Sequence, residues 1–254
     1  MKPCIIGIAG KANSGKDTIA SMINYITTVG TTKAKYADWI TKRLSNDAIH
    51  GNRIIHFADN LKDVISIIFN IPRELFDDRK YKDGMYYNIA RKYFIDEKDI
   101  KSSHIIITID DLKKHSLSYY IESNINKLKT DMIYIKLRTL LQYIGNEIGR
   151  EQLSDNIWID GIIRKAKDIA GKENVCIIPD VRYENEANAI SNNGFLYGGL
   201  IKVIRDGNTE VTDTNIESER INFNCDYFIY NKSTLTNTFY QVLNICQQIN
   251  ELNN

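Results

Sequence analysis

The sequence predicts an α/β protein: a five-stranded, mainly parallel sheet flanked by helices in three layers, with a region inserted between the second and third strands. Three observations predict it. Five short apolar runs lack the polar alternation of a half-exposed strand, as strands covered on both faces do. Helical patterns lie between the runs, and that alternation implies right-handed crossovers in one sheet. The stretch from Ile71 to Lys136 breaks the rhythm.

The first run is Cys4–Ala9. It follows Lys2, but it is shorter than the roughly 7–15 apolar residues of a signal peptide, so it reads as a core strand. Lys16–Thr27 then places Ile19, Met22, Ile23 and Ile26 on one helical face. Ile54–Ala58 is the second strand, and Asn60–Phe69 is a helix carrying Leu61, Val64, Ile65 and Ile68. Residues 71–136 are charged, hold the cluster Asp77–Asp83, and offer one extra strand, His104–Ile109. They read either as an inserted substrate-binding or lid subdomain or as a solvated decoration of a single domain spanning 1–254. Leu137–Ile148 is helical, with Leu140, Leu141, Ile144 and Ile148 aligned. Val175–Pro179, Leu200–Ile204 and Cys225–Tyr230 complete the strands. Leu235, Phe239, Val242, Cys246 and Ile249 stripe a last helix.

Composition narrows the function classes. Apolar residues make up 43% and charged residues 26% of the 254, the ordinary globular range. The 33 basic against 32 acidic side chains leave a net charge of +1, which argues against stable nucleic-acid binding through bulk electrostatics. No apolar run approaches the roughly 18 residues of a membrane span. The cysteines, Cys4, Cys176, Cys225 and Cys246, have no metal-ligand spacing and read as buried free thiols in a reducing, cytoplasmic compartment. The histidines at 50, 56, 104 and 115 show no zinc spacing either.

The chemistry is carried by Gly10-Lys11-Ala12-Asn13-Ser14-Gly15-Lys16-Asp17-Thr18, which follows the first strand and opens a helix. This is G-x-x-x-x-G-K in the strand–loop–helix setting of a P-loop, where glycines let backbone N–H groups wrap a phosphate and Lys16 reaches the transferred phosphoryl. Asp17 stands where a Ser or Thr normally meets Mg²⁺, and Thr18 follows; a carboxylate is a good ligand for that hard cation. Asp180 and Arg182 lie at the carboxyl end of the third strand, where parallel sheets bind ligands. Asp180 can hold Mg²⁺ and Arg182 can steady phosphoryl charge; a structural ion pair or a helix cap is the plain alternative. Arg138 and Gln142 share a helix face, with Arg150 and Trp158 downstream. They suit a phosphate, a base edge and a stacked nucleoside, or are surface polar residues beside core. Lys62, in Phe57-Ala-Asp-Asn-Leu-Lys62, can hold an acceptor phosphate.

Taken together, these pieces resemble the deoxynucleoside monophosphate kinases of phages and large DNA viruses. The resemblance rests on Ser14–Thr18, Phe57–Lys62, Arg138–Trp158, Pro179–Glu186, and Ser218-Glu219 followed by an apolar strand ending in Asn231, all in family order. It departs at Ile216, where the family often has His. It implies transfer of the ATP γ-phosphoryl to a deoxynucleoside 5′-monophosphate, with Mg²⁺. By motif position Gly10, Lys11, Ser14, Gly15, Lys16, Asp17 and Thr18 belong to the ATP–Mg²⁺ site, with Asn231 near the ATP base. Lys62, Arg138, Gln142, Arg150, Trp158 and Arg182 line the acceptor site. The substrate is the expected partner, without nucleic acid or membrane; a homodimer is compatible with all of this. Three other readings stay open: another small-molecule P-loop kinase, such as one acting on dephospho-coenzyme A or phosphomevalonate, a P-loop ATPase coupled to nucleic acid or protein remodelling, and a nucleotide-binding regulator without catalysis.

Overall fold

The structure is a computed structural model and describes residues 2–44, 53–125, 132–194, 197–205 and 223–252. Its strands are β1 (Cys4–Gly10), β2 (Met85–Asn88), β3 (Tyr93–Asp96), β4 (Ile105–Ile107), β5 (Ile133–Lys136), β6 (Val175–Val181), β7 (Tyr197–Ile204) and β8 (Tyr227–Tyr230). Its helices are α1 (Lys16–Val29), α2 (Tyr36–Leu44), α3 (Asp59–Phe69), α4 (Ile109–Lys114), α5 (Leu117–Ile125), α6 (Leu137–Gln142), α7 (Ile159–Glu173), α8 (Glu184–Ser191) and α9 (Leu235–Leu252). Two compact units result: Met1–Phe57 with Ile159–Asn254, and Ala58–Trp158.

In the first unit the sheet order is β6-β1-β7-β8, every pairing parallel. β1 is central, with Cys4 opposite both Val175 and Tyr197. The two-residue period of a strand divides its side chains between two cores. Cys4, Ile6 and Ile8 face Ile19, Met22 and Ile23 of α1 and Phe239, Val242 and Cys246 of α9. Ile5 and Ala9 face Ile162 and Ala166 of α7 and Ala187 and Ile190 of α8. The sheet is thus the middle of three layers. Trp39 of α2, which the sequence pattern did not show as a helix, closes the first core; its indole N–H donates to Ser21 Oγ at 3.2 Å.

One expected strand is not there. From Ile54–Ala58 only Ile54 makes a ladder bridge, to Ile177. The backbone follows β6 through Ile55 N–H to Ile177 O (3.0 Å) and Ile177 N–H to Arg53 O (2.7 Å). At Phe57 the N–H turns instead to the Asp180 carboxylate, 3.1 Å away, and α3 begins at Asp59. A side-chain acceptor therefore replaces the backbone ladder, and the sheet has four strands rather than five. The last strand also starts later than expected, at Tyr227, which leaves Cys225 half-buried. Along the outer side of β8, the Gln241 amide accepts from Tyr230 N–H (2.9 Å) and donates to Tyr230 O (3.1 Å).

The second unit encloses residues 71–136 and adds α3 and Leu137–Trp158. It has its own sheet, β3-β2-β5-β4, antiparallel except for β4 against β5. Sequence patterning picked out only β4, inside His104–Ile109. Leu61, Ile65, Phe76, Tyr87, Ile107, Ile135 and Leu140 form its core. The expected helix Leu137–Ile148 is α-helical only to Gln142, then widens into π-helix over Tyr143–Leu153. Gly149 permits a close neighbour there: a Cβ on it would lie 2.7 Å from the Trp158 ring, whose N–H donates to Gly145 O at 2.9 Å.

The aromatic cluster of the first unit gives a stability prediction. Phe239 is fully buried and contacts the rings of Tyr25, Tyr36, Trp39 and Tyr240. Phe239→Ala should cost about 3–5 kcal/mol, read from urea unfolding, because so closed a cluster cannot collapse onto the cavity.

Candidate active site

The phosphate-loop sequence folds between β1 and α1. Gly15 takes φ 98°, ψ 20°, a left-handed conformation that costs glycine little, and occupies the N-cap of α1. No side chain caps that helix. Its first N–H groups therefore stay available at the positive end of the helix dipole. Asn13 is also left-handed, at φ 59°. The loop is clamped from outside by Asn231, directly after β8: Nδ2 donates to Ser14 O (2.8 Å), while Oδ1 accepts from Thr238 Oγ1 (3.1 Å). A Cβ on Gly15 would lie 2.6 Å from Asn231 Nδ2.

Asn13, Ser14, Gly15, Lys16, Asp17, Thr18 and Arg205 line a cavity of about 320 Å³. The Lys16 ammonium donates to Gly10 O (2.7 Å) and Lys11 O (2.8 Å), which folds it over the loop. Ser14 Oγ is buried and has no hydrogen-bond partner among the described residues. An unsatisfied buried hydroxyl, an uncapped helix terminus and a lysine at one loop are the chemistry a phosphate needs. Asp17 is exposed in the first turn of α1. Thr18 Oγ1 accepts from Arg43 of α2 at 3.4 Å. Lys11 is exposed.

Asp180 and Arg182 stand at the carboxyl end of β6, beside β1, where Ala9 pairs with Val181. Asp180 is half-buried and accepts from Phe57 N–H. The Arg182 side chain is exposed, and its backbone N–H donates to buried Glu186 (2.8 Å). Among the described residues no three His, Cys, Asp or Glu side chains converge on a metal position.

The remaining expected residues lie in the second unit, and the structure gives most of them partners. Lys62, only 7% exposed, sits 2.7 Å from Asp77 and 3.5 Å from Asp59. Arg73 binds Asp59 (2.9 Å), Asp63 (2.7 Å) and Asp77 (2.6 Å). Burial pushes the Asp77 carboxyl up, but hydrogen bonds from Lys62 and Arg73 outweigh it and hold it below the usual range. Arg138 grips Asp83 bidentately, Nε at 2.6 Å and NH2 at 3.0 Å, and that hydrogen bonding holds Asp83 low. Arg150 donates to Asp155 O (3.3 Å). Trp158 presses on Gly149, whereas Gln142 is half-buried and makes no side-chain hydrogen bond among the described residues. Arg43, Arg73 and Arg205 escaped the sequence reading, and Asp77 and Asp83 entered it only as members of a charged cluster. Only Arg205 had a signal, since it directly follows an expected strand. Ile216, Ser218 and Glu219 lie outside the described residues.

The cysteines take no part. Burial pushes the thiols of Cys4, Cys176 and Cys246 up to about 12, so they stay protonated and unreactive at neutral pH. No described helix is long and apolar enough to cross a membrane.

A parallel sheet with a glycine–lysine loop between its central strand and an uncapped helix defines a P-loop nucleotide-binding protein. The deoxynucleotide monophosphate kinase family matches residues 4–242, and the chain belongs to that family. It is also 24% identical over 196 residues to the deoxynucleoside-5′-monophosphate kinase of Escherichia phage T5, covering 73% of this chain and 71% of that protein. The resemblance carried by the motifs is thereby borne out: the chain is a phosphotransferase acting on a deoxynucleoside monophosphate.

Lys16→Ala should lower turnover about 10²–10³-fold, the scale of losing one preorganised electrostatic group. The melting temperature should change little, since the Lys16 ammonium donates to carbonyls of an exposed loop. Steady-state rates with a thermal melt check both.

Proposed function

We propose that ATP is the donor, bound through its phosphates in the loop Gly10–Thr18, and that Lys16 follows the γ-phosphoryl as it moves. The buried, unpartnered Ser14 hydroxyl beside the uncapped α1 terminus carries this reading. An oxygen of the acceptor monophosphate attacks Pγ, the bond from Pγ to the β–γ bridging oxygen breaks, and ADP leaves. Charge then spreads over the transferring group, and Lys16 and Arg182 offer it N–H donors. Asp17, Thr18 and Asp180 would hold Mg²⁺, which neutralises phosphate charge when bound. Asn231 acts by fixing Ser14, next to the donor's phosphates.

The acceptor falls to Lys62, Arg138, Gln142, Arg150, Trp158 and Arg182. A phosphate at Arg138 takes the place of the Asp83 carboxylate, which offers the same paired oxygens to the guanidinium. Gln142 has both amide groups available for a base edge, and the apolar Trp158 ring suits a nucleoside. Residues 71–136, which bring Asp83 to Arg138, serve here as a substrate-binding or lid region beside the acceptor residues of a single catalytic domain. Stable nucleic-acid binding is no part of this reading, and a homodimer is compatible with it.

Two measurements test the reading. Transfer from ATP should be scored with dAMP, dCMP, dGMP and dTMP. Arg138→Ala should raise KM for every acceptor by a similar factor, Gln142→Ala should change the ranking among bases, and neither should alter the ATP KM. If none of the four accepts phosphate, the acceptor assignment fails. Asp17→Asn should shift the Mg²⁺ titration to higher concentration; a curve that overlays wild type removes Asp17 from the metal site.

A further inference from the structure

We propose that Arg205 is a donor-phosphate ligand, a guanidinium delivered to the phosphate cavity from the end of β7. This rests on the reading of Gly10–Thr18 as the donor site. Two independent features of the fold place it there. In the parallel register of β1 and β7, Gly10 pairs with Val203, so the chain leaving β7 runs alongside the start of the loop. Arg205 lies two residues past that partner and lines the same cavity as Asn13–Thr18, to which it is, among the described residues, the sole contributor from outside the loop and its helix. Its NH1 donates to Asn13 O at 3.1 Å, which ties the guanidinium to the left-handed part of the loop.

Charge and geometry say what it does there. Of the side chains lining the cavity, Lys16 and Arg205 are cationic and Asp17 is anionic. Without Arg205 the lining is formally neutral; with it the lining attracts a polyphosphate. A guanidinium has five N–H donors, and one is used on Asn13. The side chain is exposed, so a small rotation brings the others onto phosphate oxygens in the paired geometry that lysine cannot reproduce. The ligand chemistry is therefore the polyphosphate and not the base.

The test compares wild type with Arg205→Ala, Arg205→Lys and Lys16→Ala. It reads KM for ATP, KM for the acceptor, and competitive inhibition against ATP by inorganic tripolyphosphate, which has no base. Arg205→Ala should raise the ATP KM about tenfold and the tripolyphosphate inhibition constant by a similar factor. Acceptor KM and melting temperature should not move, and Arg205→Lys should recover only part of the loss. An unchanged ATP KM overturns the proposal, as does a weaker ATP with unchanged tripolyphosphate inhibition. If Lys16→Ala is inactive while Arg205→Ala matches wild type, the Arg205 assignment fails and the donor site stands. If Lys16→Ala retains wild-type turnover, the donor site fails and takes Arg205 with it.

Discussion

The left-handed turn at Gly15 is the constraint on which the donor site depends. With φ at 98°, the chain leaves β1, reverses within a few residues and enters α1 without a side-chain cap. In an ordinary N-cap geometry an Asn or Ser side chain satisfies one of the first helical N–H groups, worth roughly a few tenths of a kcal/mol over glycine. The protein does without that stabilisation, and the open N–H groups remain for an anion. The conformation is enforced from a distance: Asn231, anchored by Thr238 at the start of α9, reaches Ser14 O and leaves no room for a β-carbon on Gly15. The end of the chain thus helps to shape a loop near its beginning.

The second unit manages charge differently. Three of its cations are held by carboxylates: Lys62 and Arg73 by Asp59, Asp63 and Asp77, and Arg138 by Asp83. Lowered carboxyl pKa values mean these pairings contribute stability above the ordinary carboxylate range and lose it as pH falls through the lowered values. The network is also a reservoir of phosphate-like oxygens. Under the proposed acceptor assignment, a substrate phosphate would meet positive groups whose geometry is already set by a carboxylate, and would exchange one anion for another rather than order loose side chains.

Much of the first unit was legible because β1 and β6 are continuous apolar runs whose composition admits only burial on both faces. The donor loop was equally legible, since Gly10, Gly15 and Lys16 have spacing few other structures need. The strand at Ile54–Ala58 was over-read because its apolar residues are buried, but its backbone goes to Asp180, and a side-chain acceptor leaves no trace in hydropathy. β2 and β3 were missed for the opposite reason: Met85–Asn88 and Tyr93–Asp96 are four residues each and mix tyrosine with polar groups, so no period can register. The π-helix after Gln142 preserves a helical apolar stripe while changing its pitch, so periodicity alone reads it as α-helix. At the candidate acceptor residues, the sequence shows the cations and leaves their partners hidden. Asp83 and Arg138 are distant in sequence and meet only through the fold.

The amide of Gln241 on Tyr230 bears on how copies of this protein coexist at high concentration. β8 borders the first sheet among the described strands, and Tyr230 and Phe228 are half exposed there. A bare β-edge with aromatic side chains is a template for another chain's strand. Gln241 already occupies both hydrogen-bonding groups of Tyr230, one as acceptor and one as donor, in the manner of a single residue of a neighbouring strand. Gln241 belongs to α9, whose apolar side packs into the core through Phe239 and Val242, so the amide is presented to Tyr230 from an anchored helix. The border of the sheet is thus closed by its own helix, and strand-to-strand polymerisation is denied a foothold at Tyr230.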